Sequence, residues 1–337
     1  MRKIAIWAAG GNKVGGGHAT RMAALAKTVA RTGVEVDFIV GADAAAILAD
    51  RIRNTPLISI AIVPDFAEMA DAVAAAGYEW VVIDDYAIGA DQESRIRRAG
   101  SRVLAVDDLA DRSHDCDILL DAMPYRQDSH YVGLVPKDAK LLIGLEYALV
   151  NAEFLELRAQ SLARREVPKL GNVVATFGLS ANIEGATRVL EAFVLSGIDA
   201  RLTVIAGNER VADMLRSNAI GRSIEVRTAL ADPASVFADA DLAILAPGVT
   251  TLEMCTLGVP MIQLTTSKHQ FPLAGNMAQR SAAVTIESVQ SLADRLLSFA
   301  RNPALLARMS QAAAAAVDGK GTQRTAQRLL TGHCLAQ

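Results

Sequence analysis

The chain has 337 residues, of which 51% are hydrophobic and 4% aromatic, with a formal net charge of −3 at pH 7. The length is about twice that of a typical domain, so two domains are expected. The small net charge and the lack of basic blocks argue against a nucleic-acid-binding protein. No stretch is long enough to cross a membrane as a helix, so no membrane insertion is expected.

The three cysteines, Cys116, Cys255 and Cys334, are far apart and odd in number. This pattern is typical of a reducing compartment and predicts a cytoplasmic protein without disulfides. No cysteine pair has the spacing of metal ligands, and neither a metal nor another cofactor is expected. The apolar run at residues 4–9 is interrupted by glycines, which favours a first strand over a signal peptide.

Short β-rich runs alternate with helical patterns in the first half of the chain, which predicts βα units and a parallel sheet. The predicted strands are residues 3–8, 34–40, 57–63, 80–84, 102–107 and 118–121. The predicted helices between them are residues 19–32, 42–53, 67–76 and 92–99. These elements form a first domain over residues 1–150, followed by a linker over residues 151–171.

A second alternating series predicts a second α/β domain over residues 172–337. Its predicted strands are residues 173–177, 201–206, 224–227, 242–245 and 260–265. Its predicted helices are residues 183–196, 210–218, 233–238, 251–257, 274–280, 289–302, 304–317 and 322–331. Doubly wound sheets bind ligands beyond the carboxyl ends of their strands, so two such domains are expected to face each other across a ligand-binding cleft.

The first predicted strand leads into a glycine-rich loop, Gly15, Gly16 and Gly17, and then His18. The glycine spacing is not that of a dinucleotide-binding motif, but the loop allows a ligand to approach the backbone closely. A helix beginning near His18 disfavours a positive charge there, which suits an imidazole that accepts a proton. His18 is therefore a candidate general base, and a helix cap is the alternative.

Acidic residues end two predicted strands, as Asp84-Asp85-Tyr86 and Asp107-Asp108. Carboxylates at that edge of a sheet can orient sugar hydroxyls or His18. The simpler interpretation, favoured for any single aspartate, is that it caps the next turn or helix. Tyr86 can offer its phenol to a ligand or pack in the wall of the cleft.

The second domain contains a candidate anion site where a strand ends in a Pro-Gly turn before a helix. Gly248, Thr250 and Thr251 offer amides and hydroxyls to a diphosphate, and Glu253 offers a carboxylate to a ribose. A plain N-cap at Thr250 and a capping-box acid at Glu253 are the alternatives. Further candidate contacts follow neighbouring strands: Gly178, Ser180, Lys268, His269 and Gln270.

Motifs along nearly the whole chain resemble those of the UDP-sugar hydrolases of pseudaminic acid biosynthesis (the PseG family). GGGHATR resembles the family's G-x-G-H-x-x-R, and IDDYAI resembles its I-D-H-Y segment. VDDLADRSHDCDILLDAM, LVP and EYALVNAEF resemble a long diagnostic stretch. PGVTTLEMCTLGVP with KHQ resembles the nucleotide-binding segment, and DGKGTQRTAQRLL resembles the C-terminal helix.

The resemblance implies a GT-B fold, two Rossmann-like domains facing across a cleft, similar to that of MurG-type glycosyltransferases. It implies that His18 activates a water that attacks the anomeric carbon with inversion and expels UDP. Tyr86 and His269 would be active-site residues. Substrate would be bound by Gly15, Gly16, Gly17, Arg21, Asp85, Gly178, Ser180, Gly248, Thr250, Thr251, Glu253 and Gln270.

The chain departs from the family pattern on the sugar side. Trp7, Ala9 and Gly11 stand where the family has R-x-D-x-S, and His269 stands where it usually has Asn. The G-G-[ST]-D loop has become GLSA. These changes leave the identity of the sugar open.

Three functions are therefore weighed. The first is a nucleotide-sugar hydrolase that acts in the biosynthesis of a nonulosonic acid or surface glycan, alongside other enzymes of a sugar pathway. The second is a GT-B glycosyltransferase with a UDP-sugar donor, in which His18 activates an acceptor hydroxyl. The third is a nucleotide-sugar-binding protein without catalysis, which the retention of His18 disfavours. The first domain shows no apolar or basic patch for a lipid acceptor, so hydrolysis is favoured.

Overall fold

The structure is a computed structural model that describes residues 3–11, 15–178, 183–218, 223–228, 230 and 232–331. The described residues form two compact units. Unit 1 comprises Met1–Ala152 and Lys320–Gln337, and unit 2 comprises Glu153–Gly319.

Unit 1 is built around a parallel seven-stranded sheet, with strands in the order β3-β2-β1-β4-β5-β6-β7. Its strands are β1 Lys3–Ala8, β2 Glu35–Val40, β3 Ile58–Ile62, β4 Trp80–Asp84, β5 Arg102–Val106, β6 Ile118–Asp121 and β7 Lys140–Ile143. Its first helices are α1 Gly17–Ala30, α2 Ala42–Arg51, α3 Phe66–Ala76 and α4 Ala90–Arg98. The central strands β1 and β4 are almost wholly buried, as expected for a sheet covered by helices on both faces.

Unit 2 contains a parallel six-stranded sheet, with strands in the order β10-β9-β8-β11-β12-β13. Its strands are β8 Asn172–Thr176, β9 Arg201–Ala206, β10 Ile224–Thr228, β11 Leu242–Leu245, β12 Met261–Gln263 and β13 Ala283–Thr285. Its helices are α5 Ala152–Arg164, α6 Ile183–Ser196, α7 Glu209–Asn218, α8 Pro233–Ala238, α9 Val249–Leu257, α10 Phe271–Gln279, α11 Val289–Arg301 and α12 Ala304–Ala316.

The last helix, α13 Gly321–Thr331, returns to unit 1, where it packs against α1. Thr322 fastens its first turn, because its hydroxyl accepts a hydrogen bond from the N–H of Val150 at 2.8 Å and donates one to the Val150 carbonyl at 2.7 Å. The expectation that residues 172–337 form one domain therefore differs from the observed division. The segment expected to be a linker is also ordered, because it contains α5.

Two arginines, half-buried Arg158 in α5 and buried Arg165 directly after it, attach this helix to the rest of unit 2. The Arg158 guanidinium donates to the carbonyls of Val317 at 2.9 Å and Ala314 at 2.6 Å. Arg165 donates to the carbonyls of Ser161 and Ala238. Carbonyls near the C-terminal ends of helices lack intrahelical partners, so these contacts satisfy groups that would otherwise be buried unpaired.

Cys116 and Cys255 are buried free thiols, and Cys334 lies outside the described residues. Burial raises the pKa of the Cys116 thiol above its usual range, so this group stays protonated and unreactive. Among the helices that the structure describes, none has the length and apolar character needed to cross a membrane.

Candidate active site at the carboxyl ends of the strands

The site in unit 1 lies where the strand order of its sheet reverses, between the neighbouring strands β1 and β4. From β1 the chain continues to β2 on one side, and from β4 it continues to β5 on the other side. The two connections therefore diverge and leave a crevice at the carboxyl ends of β1 and β4. His18 is in the first turn of α1, and Asp84 is the last residue of β4. The two residues are therefore brought together by the topology of the sheet.

His18 and Asp84 form a buried pair. The Nδ1 atom of His18 lies 2.6 Å from Oδ1 of Asp84, and the two residues are 4% and 0% exposed. Burial alone would raise the pKa of Asp84, but the charge of Arg21 and the bonds from Arg21 and His18 outweigh it and hold that pKa well below its usual range. Ionised Asp84 can only accept hydrogen bonds, so Nδ1 of His18 must carry the hydrogen that it donates to Asp84. The other ring nitrogen, Nε2, is then able to accept a proton.

Arg21, one turn further along α1 than His18, donates hydrogen bonds to both carboxylates of the site, Asp84 and Asp108. Its Nε and Nη2 atoms donate to the two oxygens of Asp84, each at 2.6 Å, and its Nη1 atom donates to Asp108 at 2.8 Å. Nη2 also lies 3.4 Å from Nδ1 of His18, but both groups carry hydrogens, so the bond to Asp84 is the one that orients the ring. Arg21 was expected to contact substrate, and the structure instead places all three nitrogens on carboxylates.

Tyr86 packs beside the histidine. Its ring meets the His18 ring edge-on with 4.6 Å between centroids, and its hydroxyl donates to Oδ2 of Asp108 at 2.9 Å. Burial and the neighbouring Asp108 charge raise the pKa of Tyr86 far above its usual range, so it stays a neutral donor. The side chain is still 39% exposed, which leaves part of the ring open to a ligand.

Asp85 has a local role in the structure, although it was expected to contact substrate. Its Oδ2 atom accepts from Nε1 of Trp7 at 2.9 Å, and its Oδ1 atom accepts from the N–H of Ala87 at 2.9 Å. Trp7 in turn packs edge-on against Phe66 and is 8% exposed. The tryptophan at the position of the family's arginine is therefore a core residue that fixes the loop after β4.

The glycine loop prepares the start of α1. Gly16 is the N-cap, and its carbonyl accepts from both the N–H of Thr20 at 2.9 Å and the Thr20 hydroxyl at 2.6 Å. No side chain caps the helix, so the cap alternative for His18 is wrong, since its ring bonds to Asp84. Gly15 has a φ of 76°, a left-handed value that favours glycine. The first amides of α1, those of Gly17 and His18, have no partner among the described residues.

Asp107 proves to be a structural residue, in line with the simpler interpretation of strand-end aspartates. It accepts from Arg112 at 2.7 Å, from the hydroxyl of Tyr131 at 3.0 Å and from the N–H of Ala110 at 2.8 Å. Burial opposes ionisation of Asp107, but its hydrogen bonds and the Arg112 charge lower its pKa well below the usual range. Asp107 therefore stabilises the loop that carries Asp108.

Unit 2 has its own strand-order reversal, between β8 and β11, and the candidate anion site lies at the carboxyl end of β11. Gly248 is the N-cap of α9, and its own N–H donates to Oγ1 of Thr251 at 3.2 Å. The N–H groups of Val249 and Thr250 have no partner among the described residues. Free amides at the positive end of a helix are a suitable arrangement for a phosphate.

The hydroxyl-bearing residues of α9 have different positions. Thr250 is half-buried and does not cap the helix, whereas Thr251 is 0% exposed and its hydroxyl is used by the Gly248 N–H. Thr251 therefore shapes the loop rather than presenting its hydroxyl at the surface. Glu253 is buried, with 7% of its surface exposed.

The remaining candidate contacts of unit 2 follow β8 and β12. Gly178 is exposed two residues after β8 with a φ of 67°, and Ser180 lies outside the described residues. His269 is exposed in a 3-10 turn, Lys268–Gln270. Gln270 holds this loop closed, because its Oε1 atom accepts from the N–H of Thr266 at 2.8 Å.

The structure brings together His18, Arg21 and Tyr86 with two of the strand-end aspartates, Asp84 and Asp108, and Asp84 orients His18 rather than serving only as a cap. The signal for these two was available, since both follow buried strands, but it did not distinguish them from turn-capping aspartates. In the described part of the chain no group of three or more His, Cys, Asp or Glu side chains is arranged to hold a metal.

A scan of known protein families gives no match to this chain. It is 36% identical over 90 residues to the UDP-2,4-diacetamido-2,4,6-trideoxy-β-L-altropyranose hydrolase of Campylobacter jejuni, covering 26% of this chain and 32% of the relative. It is 33% identical over 181 residues to the UDP-N-acetylglucosamine–N-acetylmuramyl-(pentapeptide) pyrophosphoryl-undecaprenol N-acetylglucosamine transferase of Sorangium cellulosum, covering 44% of each chain. The chain thus matches less than half of the length of either relative.

The fold is similar to that of the crystal structure of MurG from Acinetobacter baumannii. The TM-score is 0.69 with 17% identity, and the match covers 98% of this chain and 99% of that one. The expected fold class is confirmed: the chain is an α/β protein with two Rossmann-like parallel sheets and the GT-B fold.

Proposed function

We propose that this protein is a nucleotide-sugar hydrolase that cleaves a UDP-sugar with inversion at the anomeric carbon. The observation that carries the proposal is the buried His18–Asp84 pair, with Nδ1 of His18 at 2.6 Å from Asp84. A general-base histidine requires a carboxylate that fixes its tautomer and stabilises the imidazolium after the ring takes a proton.

In the proposed reaction Nε2 of His18 takes a proton from water while the water oxygen attacks the anomeric carbon. The bond from that carbon to the diphosphate oxygen breaks, and UDP leaves with the electron pair. The positive charge formed on the imidazole lies next to Asp84, which stabilises it and stays ionised because Arg21 is paired with it. Attack opposite to the leaving group gives the inverted sugar.

The diphosphate is proposed to bind at the N-terminus of α9. The amides of Val249 and Thr250, the Thr250 hydroxyl and the close backbone approach at Gly248 supply the contacts. The Thr251 hydroxyl holds this loop in place by accepting a hydrogen bond from the N–H of Gly248. No metal is required in this proposal, because helix amides take the place of a cation at the diphosphate.

The relatives support this assignment at the level of the substrate class. The Campylobacter jejuni relative is named as a UDP-sugar hydrolase, and its similarity extends over 90 residues of this chain. A place in the biosynthesis of a nonulosonic acid or another surface glycan, with other enzymes of that pathway as partners, rests on this relative and on the motifs that resemble its family. His269 and Gln270 are proposed to contact the substrate from the loop after β12.

The second candidate is a glycosyltransferase that uses a UDP-sugar donor. It is favoured by the 33% identity over 181 residues to the Sorangium cellulosum transferase. In that reaction His18 would take the proton of an acceptor hydroxyl instead of water, and the same residues would bind the donor. The two reactions differ in whether an acceptor is needed for release of UDP.

The test is to incubate the purified protein with a panel of UDP- and CMP-sugars and to measure the free nucleotide. We expect UDP release in water alone, with NMR spectra showing that the first sugar anomer to form is inverted. The panel includes the diacetamido-trideoxy-altrose compound, which we expect to be a poor substrate because Trp7, Ala9 and Gly11 replace the family's polar residues. Release of UDP only when an acceptor alcohol is added would instead establish a transferase.

A further inference from the structure

Asp108 is linked to the histidine through three hydrogen-bonded contacts, from Asp108 to Arg21, from Arg21 to Asp84 and from Asp84 to His18. Its Oδ2 atom accepts from Nη1 of Arg21 at 2.8 Å and from the Tyr86 hydroxyl at 2.9 Å, and its Oδ1 atom accepts from Arg21 at 3.0 Å. The carboxylate is 12% exposed as a side chain. It bonds to both residues beside the ring, Arg21 and Tyr86.

Arg21 is a cation beside His18, with Nη2 at 3.4 Å from Nδ1. A positive charge at this distance opposes the formation of an imidazolium. When the ring takes a proton, the guanidinium and the imidazolium together carry two positive charges. Asp84, which both of them share, supplies only one negative charge, so one positive charge would be left in excess. With Asp108 also present, two carboxylates face Arg21 and the protonated ring, and the charges balance.

The other charged groups near the ring do not provide this balance. Asp85 follows Asp84 directly, but its oxygens accept from Trp7 and from the N–H of Ala87, and the guanidinium of Arg21 is paired with Asp84 and Asp108 instead. Asp43 on α2 lies beside Gly11 in the loop before α1. Tyr86 stays neutral, because burial and Asp108 raise its pKa. Asp108 is therefore the carboxylate placed to neutralise Arg21 on the side away from Asp84.

We propose that Asp108 is a positioning residue of the reaction: it neutralises Arg21, so that the charge of Asp84 stabilises the protonated form of His18. Asp108 also holds the Tyr86 hydroxyl and thereby keeps the Tyr86 ring against the histidine. This inference rests on the proposed role of His18 as a base. It assigns to Asp108 an effect on the strength of that base and not on the binding of substrate.

The test is Asp108→Asn, which keeps an oxygen for Arg21 and removes the negative charge. We expect kcat to fall roughly tenfold at the pH of maximal rate, with KM unchanged. The acid limb of the pH–rate profile should move to lower pH by roughly one unit, because the imidazolium loses its balancing charge. Asp108→Glu, which restores the charge, should return the limb towards its original position.

The matched control is Asp111→Asn on the same loop, where the same charge is lost from a side chain that is 61% exposed and lies 3.5 Å from Arg112. This variant should leave the acid limb in place. Tyr86→Phe removes the hydroxyl bonded to Asp108 but no charge, so it should lower kcat without moving the limb. An acid limb that Asp108→Asn leaves unmoved, in a folded protein, overturns the inference.

A second readout separates this inference from the proposed function. The titration midpoint of the His18 ring can be followed by NMR without any substrate, with the signal assigned by its loss in His18→Asn. We expect Asp108→Asn to lower that midpoint by the same roughly one unit, whether or not the protein hydrolyses UDP-sugars. A lowered midpoint without hydrolysis would reject the proposed function and keep the electrostatic role of Asp108.

Discussion

The two units place different chemistry at equivalent positions of similar sheets. At the strand-order reversal of unit 1, the side chains of His18, Asp84, Arg21 and Asp108 form a buried network of charge-assisted bonds. At the reversal of unit 2, the start of α9 offers backbone amides and a threonine hydroxyl. The first arrangement fixes one proton on one nitrogen, and the second attracts an anion without any ionised side chain. On the proposed function, one sheet would supply the reacting group and the other the binding group.

The largest effect is expected from His18→Asn. The asparagine amide can still donate to Asp84, so the Arg21–Asp84 pair keeps its place, but no group is left to accept a proton. We expect turnover to fall roughly a hundredfold or more, the usual contribution of general-base catalysis. Binding of UDP, measured by calorimetry, should change little because α9 is intact. A folded His18→Asn protein with near-normal turnover would remove unit 1 as the source of the base.

The next largest effect is expected from Gly248→Ala in unit 2. The φ of Gly248 is 174°, which is extended backbone, and no atom lies within 4 Å of an added Cβ, so the fold does not require glycine there. A methyl group would instead obstruct a diphosphate approaching the α9 amides. We expect a Kd for UDP roughly tenfold higher, equal to about 1.4 kcal/mol, with kcat and thermal stability unchanged.

Gly178→Ala provides a comparison for this variant, because Gly178 has a φ of 67° and alanine there is strained whatever binds. It should lower stability as well as affinity. If Gly248→Ala binds UDP as tightly as the unaltered protein, the diphosphate does not approach α9 at its N-cap, and the division of roles between the units needs revision.

A smaller effect is expected in the stability of unit 1 as a function of pH. Burial opposes the charge on His114, but the nearby carboxylate of Asp107 and the hydrogen bond to Glu93 raise its pKa to about 9. Burial raises the pKa of Asp121 to about 7. A raised pKa gives stability that is complete at low pH and lost as the pH rises through the folded value. Asp84 and Asp107 have lowered pKa values, and their contribution is lost in acid instead.

Unit 1 should therefore be most stable at mildly acidic pH and lose stability between about pH 6.5 and pH 9 as His114 loses its proton. Both tryptophans of the chain, Trp7 and Trp80, lie in unit 1, so their fluorescence reports this unit alone. The Tm read from it should fall over this range by about 2–4 °C for each kcal/mol lost. His114→Gln should flatten the alkaline part of the curve. An unchanged slope in that variant would assign the pH dependence to other groups.

No effect is expected from removal of metal ions. Helix amides are proposed to bind the diphosphate, so turnover and UDP affinity should be the same in EDTA as in buffer with magnesium. Loss of activity in EDTA that magnesium restores would contradict this prediction. It would also mean that unit 2 binds the nucleotide through a cation rather than through α9 alone.

The sequence predicted the parallel sheets well because buried strands form continuous apolar runs. β1 and β4 were predicted with their observed bounds, whereas β7 and β13 were missed. β13 has only three residues, and β7 is a four-residue strand at the edge of its sheet, so neither gives a clear pattern. α1 begins at Gly17, two residues before its predicted start. The prediction began the helix after the glycines because glycine has a low helix propensity, and the loop context overrides that propensity in the structure.

The candidate site was predicted in part. His18 and Tyr86 were identified from a glycine loop and a strand end, and the structure places their rings together. Arg21 was expected to contact substrate, but its partners, Asp84 and Asp108, are more than sixty residues away in sequence. Sequence spacing cannot show which of several strand-end aspartates an arginine pairs with. That pairing depends on the neighbouring positions of β1, β4 and β5 in the sheet.

The return of α13 to unit 1 has a consequence for how the protein is made. Unit 2 is continuous in sequence, but the helix that packs on α1 is synthesised after all of it. During translation, domains fold as their sequences emerge, so unit 2 can complete its core first. Until Gly321–Thr331 leaves the ribosome, one side of α1 has no covering helix, and His18 sits on a helix that is not yet fully packed. Unit 2 can therefore be fully packed before the last helix of unit 1 is in place.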